Sequence, residues 1–332
     1  MAALQYFSLV WFWIFLIMSA RIVLLWLPRK QEVLLAVALL AFWPGGFLHS
    51  ARVSNDIPLY AFFAACLYFV LSWWKTGNRS HLLVASLVAA CGLLIKATML
   101  VPAGAIGILI LYRIYWERAK KGPWRPYLPS VLVLGAGIGV YLAQNLLKAG
   151  ASPWNWRSLY VGGEWRTFVP WMYVGNSWRH YLFLNLTSYF KSPFVDSVIP
   201  GTGREYFWNY VLKSSMFGDY HWFQKPVERY LALVMSPLLL GLIVFFGIGV
   251  ARNLRQSPRR SLPLLVVIFL SLLVLFLHRF SMPYSANNDF RFIYPVMIPM
   301  VLLLAEGAGN NGIGRALSIL FCGLSAAFYL SV

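Results

Sequence analysis

The chain has 332 residues, 60% of them hydrophobic and 11% charged, with a mean hydropathy of +0.67; this excludes an ordinary water-soluble domain and requires a bilayer as part of the solvent. The net charge of +18 is spread over short connections between apolar stretches, so anionic membrane lipid, and no nucleic acid, is the partner it fits. Cys66, Cys91 and Cys322 lie inside apolar stretches without metal-ligand or disulfide spacing and read as small buried hydrophobes.

A membrane-spanning helix needs about 20 apolar residues. In chain order, stretches at roughly 5–27, 32–49, 58–74, 81–95, 101–116, 127–147, 229–251, 262–278, 291–306 and 314–331 meet that need. They predict an all-α, polytopic transmembrane helical bundle of about ten spans: one membrane domain over 1–332, with a long extracytoplasmic loop segment at 148–228. The first stretch is too long and aromatic for a secretory signal and is predicted to be retained. Lys96 and Pro102 divide 81–116 into two spans instead of one long helix.

Orientation follows from the bias of Lys and Arg toward cytoplasmic loops. Arg29/Lys30, Lys75/Arg79, Arg118 to Arg125, Arg252 to Arg260, and Arg315 all fall on one side, which is predicted to be cytoplasmic. The other side then receives 49–57, the turn around Lys96, 148–228 and 279–290. Met1 also falls there, which leads to the expectation that an upstream helix is missing. No internal repeat is visible, so a repeat-built transporter gains no support.

Seven of the ten acidic residues map to that outer side: Asp56, Glu164, Asp196, Glu205, Asp219, Glu228 and Asp289. Asp56 sits in Arg52-Val53-Ser54-Asn55-Asp56-Ile57-Pro58, a short polar connection at a membrane boundary, where a charge is costly and often functional. Capping of the helix that follows is the alternative reading. Asp289 and Arg291 lead directly into a span, where Arg can grip a phosphate bidentately; a local Asp289–Arg291 pair is the alternative. Lys96 ends a span and fits either anion capture or snorkelling.

The long outer segment carries Trp154, Trp156, Trp165, Trp171, Trp178, Trp208 and Trp222 among Arg157, Arg166, Arg179 and Arg204, a pattern of interfacial anchors with some capacity to stack on sugars. Residues 204–217 are predicted to form an amphipathic helix lying on the membrane and walling a cavity open to lipid. His180 and His221 lack a companion at zinc-ligand spacing, and His49, His81 and His278 stand near span ends. Asn185-Leu186-Thr187 fits a glycosylation sequon, a short pattern that fixes no compartment. Walker, dinucleotide-binding, GxSxG and HExxH motifs are absent.

The blocks Phe42-Trp43-Pro44 through "HSARVSNDIPLYAF", then "GLLIKATML" and "NDFRFIYPVMIP", resemble polyprenyl-phosphate-sugar-dependent glycosyltransferases of the GT-C fold, of the aminoarabinose-transferase-like and protein mannosyltransferase-like kinds. "KSSMFGDY" at 213–220 resembles an outer-loop pattern of uncharacterised members. The resemblance implies transfer of a sugar from a polyprenyl-phosphate carrier to a lipid, glycan or protein acceptor at the extracytoplasmic face of the plasma (inner) membrane. It implies that Asp56 corresponds to an acidic position in an outer loop, taken here as catalytic, and that Lys96 and Arg291 hold the carrier phosphate; Arg52, Asn55 and Asp289 are assigned in support from their place beside these residues. It also implies a divalent metal in some members; no metal ligands are assigned. The family's leading acid lies in an outer loop between its first two spans, a loop this sequence does not have, so its first helix would match the family's second. A transporter or flippase of a lipid-linked saccharide, and a non-catalytic membrane subunit, are the rival readings.

Overall fold

The computed structural model describes residues 2–118, 124–149, 170–219 and 225–331. Trp154, Trp156, Arg157, Glu164, Trp165, Arg166, His221 and Trp222 lie outside the described residues. The helices are α1 (Ala2–Trp26), α2 (Lys30–Phe42), α3 (Pro44–Ser50), α4 (Asp56–Thr76), α5 (Arg79–Leu93), α6 (Leu100–Arg118) and α7 (Leu128–Ala149). They continue with α8 (Trp178–Leu182), α9 (Leu186–Lys191), α10 (Phe207–Phe217), α11 (Pro226–Gln256), α12 (Pro258–Ser281), α13 (Met297–Ala308) and α14 (Gly312–Ser331). Among the described residues no strand forms; Tyr173 and Tyr284 make an isolated antiparallel bridge. The all-α polytopic bundle is therefore the observed architecture.

Among the described residues, eight helical segments are long and apolar enough to cross a membrane, and the bent pair α2–α3 supplies a ninth. The bend of 47° falls at Trp43-Pro44: Trp43 is extended, and Pro44 opens α3 at the position where a missing N–H costs nothing. Helix α5, with 15 residues, is shorter than a full span, so the stretch 81–95 forms a helix without the length of its neighbours. The predicted break after it is present. Lys96 is extended, a single 3-10 turn follows at Ala97–Met99, and α6 begins with Pro102 in its first turn. Between α4 and α5, Gly77 takes a left-handed conformation (φ 74°) that closes α4, and the Asn78 side chain caps α5 by accepting from the Ser80 amide at 3.0 Å.

Small residues allow two helices to approach closely. Gly249 of α11 and Gly307 of α13 lie back to back, where a Cβ on Gly249 would collide with the Leu303 carbonyl and one on Gly307 with the Phe245 carbonyl. Such contacts substitute dispersion packing for the hydrophobic force that is missing between helices in lipid.

The expectation for 204–217 needs correction. Helix α10 is not spread on the membrane surface: nine of its residues are buried, and it packs against α3 and the 3-10 turn at Phe290–Val296. Burial is tolerated because its polar side chains find partners inside. Lys213 Nζ donates to the carbonyls of Ser188 (3.0 Å) and Thr202 (2.6 Å), Asn209 Nδ2 donates to the Asn185 carbonyl at 2.8 Å, and Ser214 Oγ accepts the Phe290 amide at 3.0 Å. Trp43 Nε1 ties the same helix to α3 through the Ser215 carbonyl at 2.8 Å. The expected cavity does exist behind it. It encloses about 370 Å³ and has an almost wholly apolar wall that includes Trp208, Leu212, Leu239, Phe246, Ile268 and Met300.

Candidate active site

The start of α4, the end of α3, the α5–α6 break and the turn before α13 meet at one end of the bundle. Lys75, Arg113, Arg259 and Arg260 are at the other end, where Trp74 Nε1 donates to the Arg259 carbonyl at 3.1 Å and Lys75 Nζ to the Leu25 carbonyl at 2.9 Å. Lys75, Arg259 and Arg260 are among the loop charges assigned to one side from the sequence.

Asp56 is the first residue of α4, and Asn55, not Asp56, occupies the capping position. The Asp56 amide donates to Ser54 Oγ at 3.2 Å, while its carboxylate receives the Lys96 ammonium in a direct ion pair. Capping is thus not the work of this buried side chain. The extended backbone at Lys96 is what brings its ammonium back over α4, and the same ammonium lies 5.1 Å from the Phe292 ring centre.

Asp289 is fully buried. Its Oδ1 accepts the Arg291 amide at 3.0 Å, which caps the 3-10 turn, and its Oδ2 lies 3.2 Å from Arg291 Nε. The local pair considered from the sequence is therefore formed. It joins the Asp56 region through Tyr60, whose hydroxyl donates to the Arg291 carbonyl at 2.8 Å. Arg52 is close enough to act electrostatically on both His49 and Asp289. Asn55 is exposed, and its side chain forms no cap hydrogen bond.

Two residues join this cluster that were not assigned to it from the sequence. His49 is buried edge-on to Tyr60 and Tyr294, with ring centres 5.9 and 5.1 Å away. Gly46 allows this packing, since a Cβ there would stand 2.6 Å from the Tyr294 hydroxyl. Asp219, just beyond α10, accepts the Ser197 amide at 2.9 Å and faces the Tyr210 hydroxyl. Burial, and then the charge of Asp289, push the Asp219 carboxyl up to about 7. Burial, followed by the charges of Asp219 and Asp289, likewise holds Tyr210 well above the ordinary phenol value. The signal for Asp219 was present in the "KSSMFGDY" stretch; nothing in one sequence distinguishes His49 from any other histidine near a span end.

Two of the other outer acids, Asp196 and Glu228, hold backbone amides. Asp196 Oδ1 accepts the amides of Val198 (2.6 Å) and Ile199 (3.0 Å), and Glu228 accepts the Lys225 amide at 3.1 Å at the start of α11. Asn185 of the sequon caps α9 by accepting the Ser188 amide at 3.1 Å.

Asp56 and Asp289 each carry a cationic partner, and among the described residues no group of three or more His, Cys, Asp or Glu side chains could hold an ion.

Residues 2–142 match the family model of the dolichyl-phosphate-mannose-protein mannosyltransferases. No curated protein matches the chain. The matched region, less than half of the chain, holds Asp56 and Lys96 and points to a membrane glycosyltransferase; Asp219, Asp289 and Arg291 lie beyond it.

Proposed function

We propose that this protein is a GT-C-type membrane glycosyltransferase that moves a sugar from a polyprenyl-phosphate carrier to an acceptor hydroxyl at the extracytoplasmic face of the plasma membrane. The observation that carries the reading is the meeting of Asp56 and Lys96, from the family-matched region, with Asp289 and Arg291 at one end of a membrane bundle. Such a transfer needs a carboxylate to take the acceptor's proton and cations to stabilise the departing phosphate.

In this reading Asp56 accepts the proton, and Lys96 and Arg291 hold the carrier phosphate, with Arg52 and Asp289 positioning them. In-line displacement at the anomeric carbon requires base and leaving phosphate on opposite sides of it. A bound donor must therefore come between Asp56 and Lys96, replacing their ion pair by a contact of Lys96 with phosphate and freeing the carboxylate. The apolar cavity behind α10 is suited to the first isoprene units of the carrier.

A second assignment of the base has one observation in its favour: Asp219, at about 7, is poised to exchange a proton near neutral pH. Asp56→Asn and Asp219→Asn are compared for turnover of a polyprenyl-phosphate sugar at equal membrane abundance. Loss of turnover in Asp56→Asn alone supports Asp56 as base, loss in Asp219→Asn alone transfers the role, and full turnover in both refutes the site. A transporter would instead move the intact lipid-linked sugar between leaflets without releasing the carrier, which the same assay detects.

A further inference from the structure

At the end of the bundle opposite Asp56, a second cavity opens where α1 and α4 finish and α12 begins. It encloses about 620 Å³ and is lined by Lys75, Arg113, Arg259 and Arg260 together with Trp26 and Trp74. No carboxylate is among its described lining residues. The neighbouring polar pocket differs: there Glu32 and Glu306 stand among Arg29, Arg252 and Arg260, and Arg260 lies between the two cavities, 3.3 Å from Glu306.

Part of this basicity serves the helices themselves. Lys75 donates to the Leu25 carbonyl at 2.9 Å, Arg260 donates to the Trp26 carbonyl, and Arg113 to the Trp74 carbonyl, so cations cover the carbonyl ends of α1 and α4. That need accounts for three of the four. Arg259 is held differently, with its guanidinium over the Trp116 ring at 5.4 Å. It stands in the first turn of α12, whose leading amides have no partner within the helix and whose dipole favours an anion. Excess positive charge, a helix start, a cavity at the ends of apolar spans and two indoles at its rim together describe a site for an anion at headgroup depth.

We infer that this cavity binds a phosphate group, presented by an anionic lipid of the leaflet at that end. The inference is independent of the proposed glycosyl transfer, because none of its residues takes part in the Asp56 cluster.

The test uses the purified full chain in a zwitterionic detergent and reads the thermal transition while a short-chain phosphatidic acid, the matching phosphatidylcholine, or inorganic phosphate is added. Phosphatidic acid is expected to give a saturable rise in Tm, and phosphatidylcholine a much smaller one. Arg259→Gln and Lys75→Gln should each weaken the half-maximal concentration about fivefold, the loss expected of one cation at an anionic headgroup. Arg259→Lys should retain most of the effect and serves as the folded comparison. Arg255→Gln, an equal loss of charge outside the cavity, should leave the titration unchanged. An equal, Arg259-dependent rise with inorganic phosphate would keep the phosphate site and assign it to the free ion. Equal responses to the two lipids, or equal weakening by Arg255→Gln and Arg259→Gln, would overturn the inference.

Discussion

Replacing Asp219 by Asn keeps an oxygen for the Ser197 amide and removes the only titrating group at that position. Burial raises the wild-type carboxyl to about 7 from an ordinary value of 3.8. An acid whose folded-state pKa is raised binds its proton more tightly when folded, so its contribution to stability is greatest at low pH and is lost as pH climbs to about 7. At about 1.36 kcal/mol per pH unit, the loss between about pH 5.5 and about pH 8 is roughly 2 kcal/mol, because the slope ends near 7. Asp219→Asn has no such slope, and its stability relative to wild type should rise by that amount over the interval. Lys213, pushed down to about 7 by burial, tilts both curves in the opposite sense: its cost is present at low pH and declines as pH rises above about 7. It cancels in the difference between the two proteins. The assay is thermal unfolding in detergent at both pH values. Parallel wild-type and variant curves would show that Asp219 ionises as an ordinary surface carboxylate, and the account of its burial would be wrong.

Lys96→Gln should raise KM for the lipid-linked donor about tenfold or more, the loss of a charge-assisted contact, as measured by initial rates; an unchanged KM removes Lys96 from the phosphate. Gly307→Ala should destabilise the bundle by about 1–3 kcal/mol through overpacking on the Phe245 carbonyl, read as a lower Tm, with an unchanged Tm counting against the tight α11–α13 contact. Trp43→Phe removes the indole donor to Ser215 and should cost about 1–2 kcal/mol; protease accessibility of α10 should increase with it. A variant as resistant as wild type would show that this bond does not hold α10.

The membrane helices were legible because length and apolarity are summed over many residues, and the break at Lys96 because Pro102 has a fixed local meaning. That Lys75, Arg259 and Arg260 share one end of the bundle was legible for a similar reason: such cations are placed by solvation before they are placed by contacts. What could not be read was pairing across distance. Asp56 and Lys96 both attracted attention singly, but their ion pair depends on the extended backbone at Lys96. Helix α10 was misread as a surface helix because Lys213 and Asn209 suggest exposure, and their internal partners, the carbonyls at 185, 188 and 202, come from a segment with no periodic pattern. His49 became a member of the site through Tyr60 and Tyr294, contacts that no spacing announces.

The Asp56–Lys96 contact is completed within the first hundred residues, whereas Asp219, Asp289 and Arg291 come from the last third or so of the chain. During synthesis, these two early charges can neutralise each other before their later neighbours emerge. Formed that early, the pair would spare a half-assembled bundle a bare carboxylate at that end.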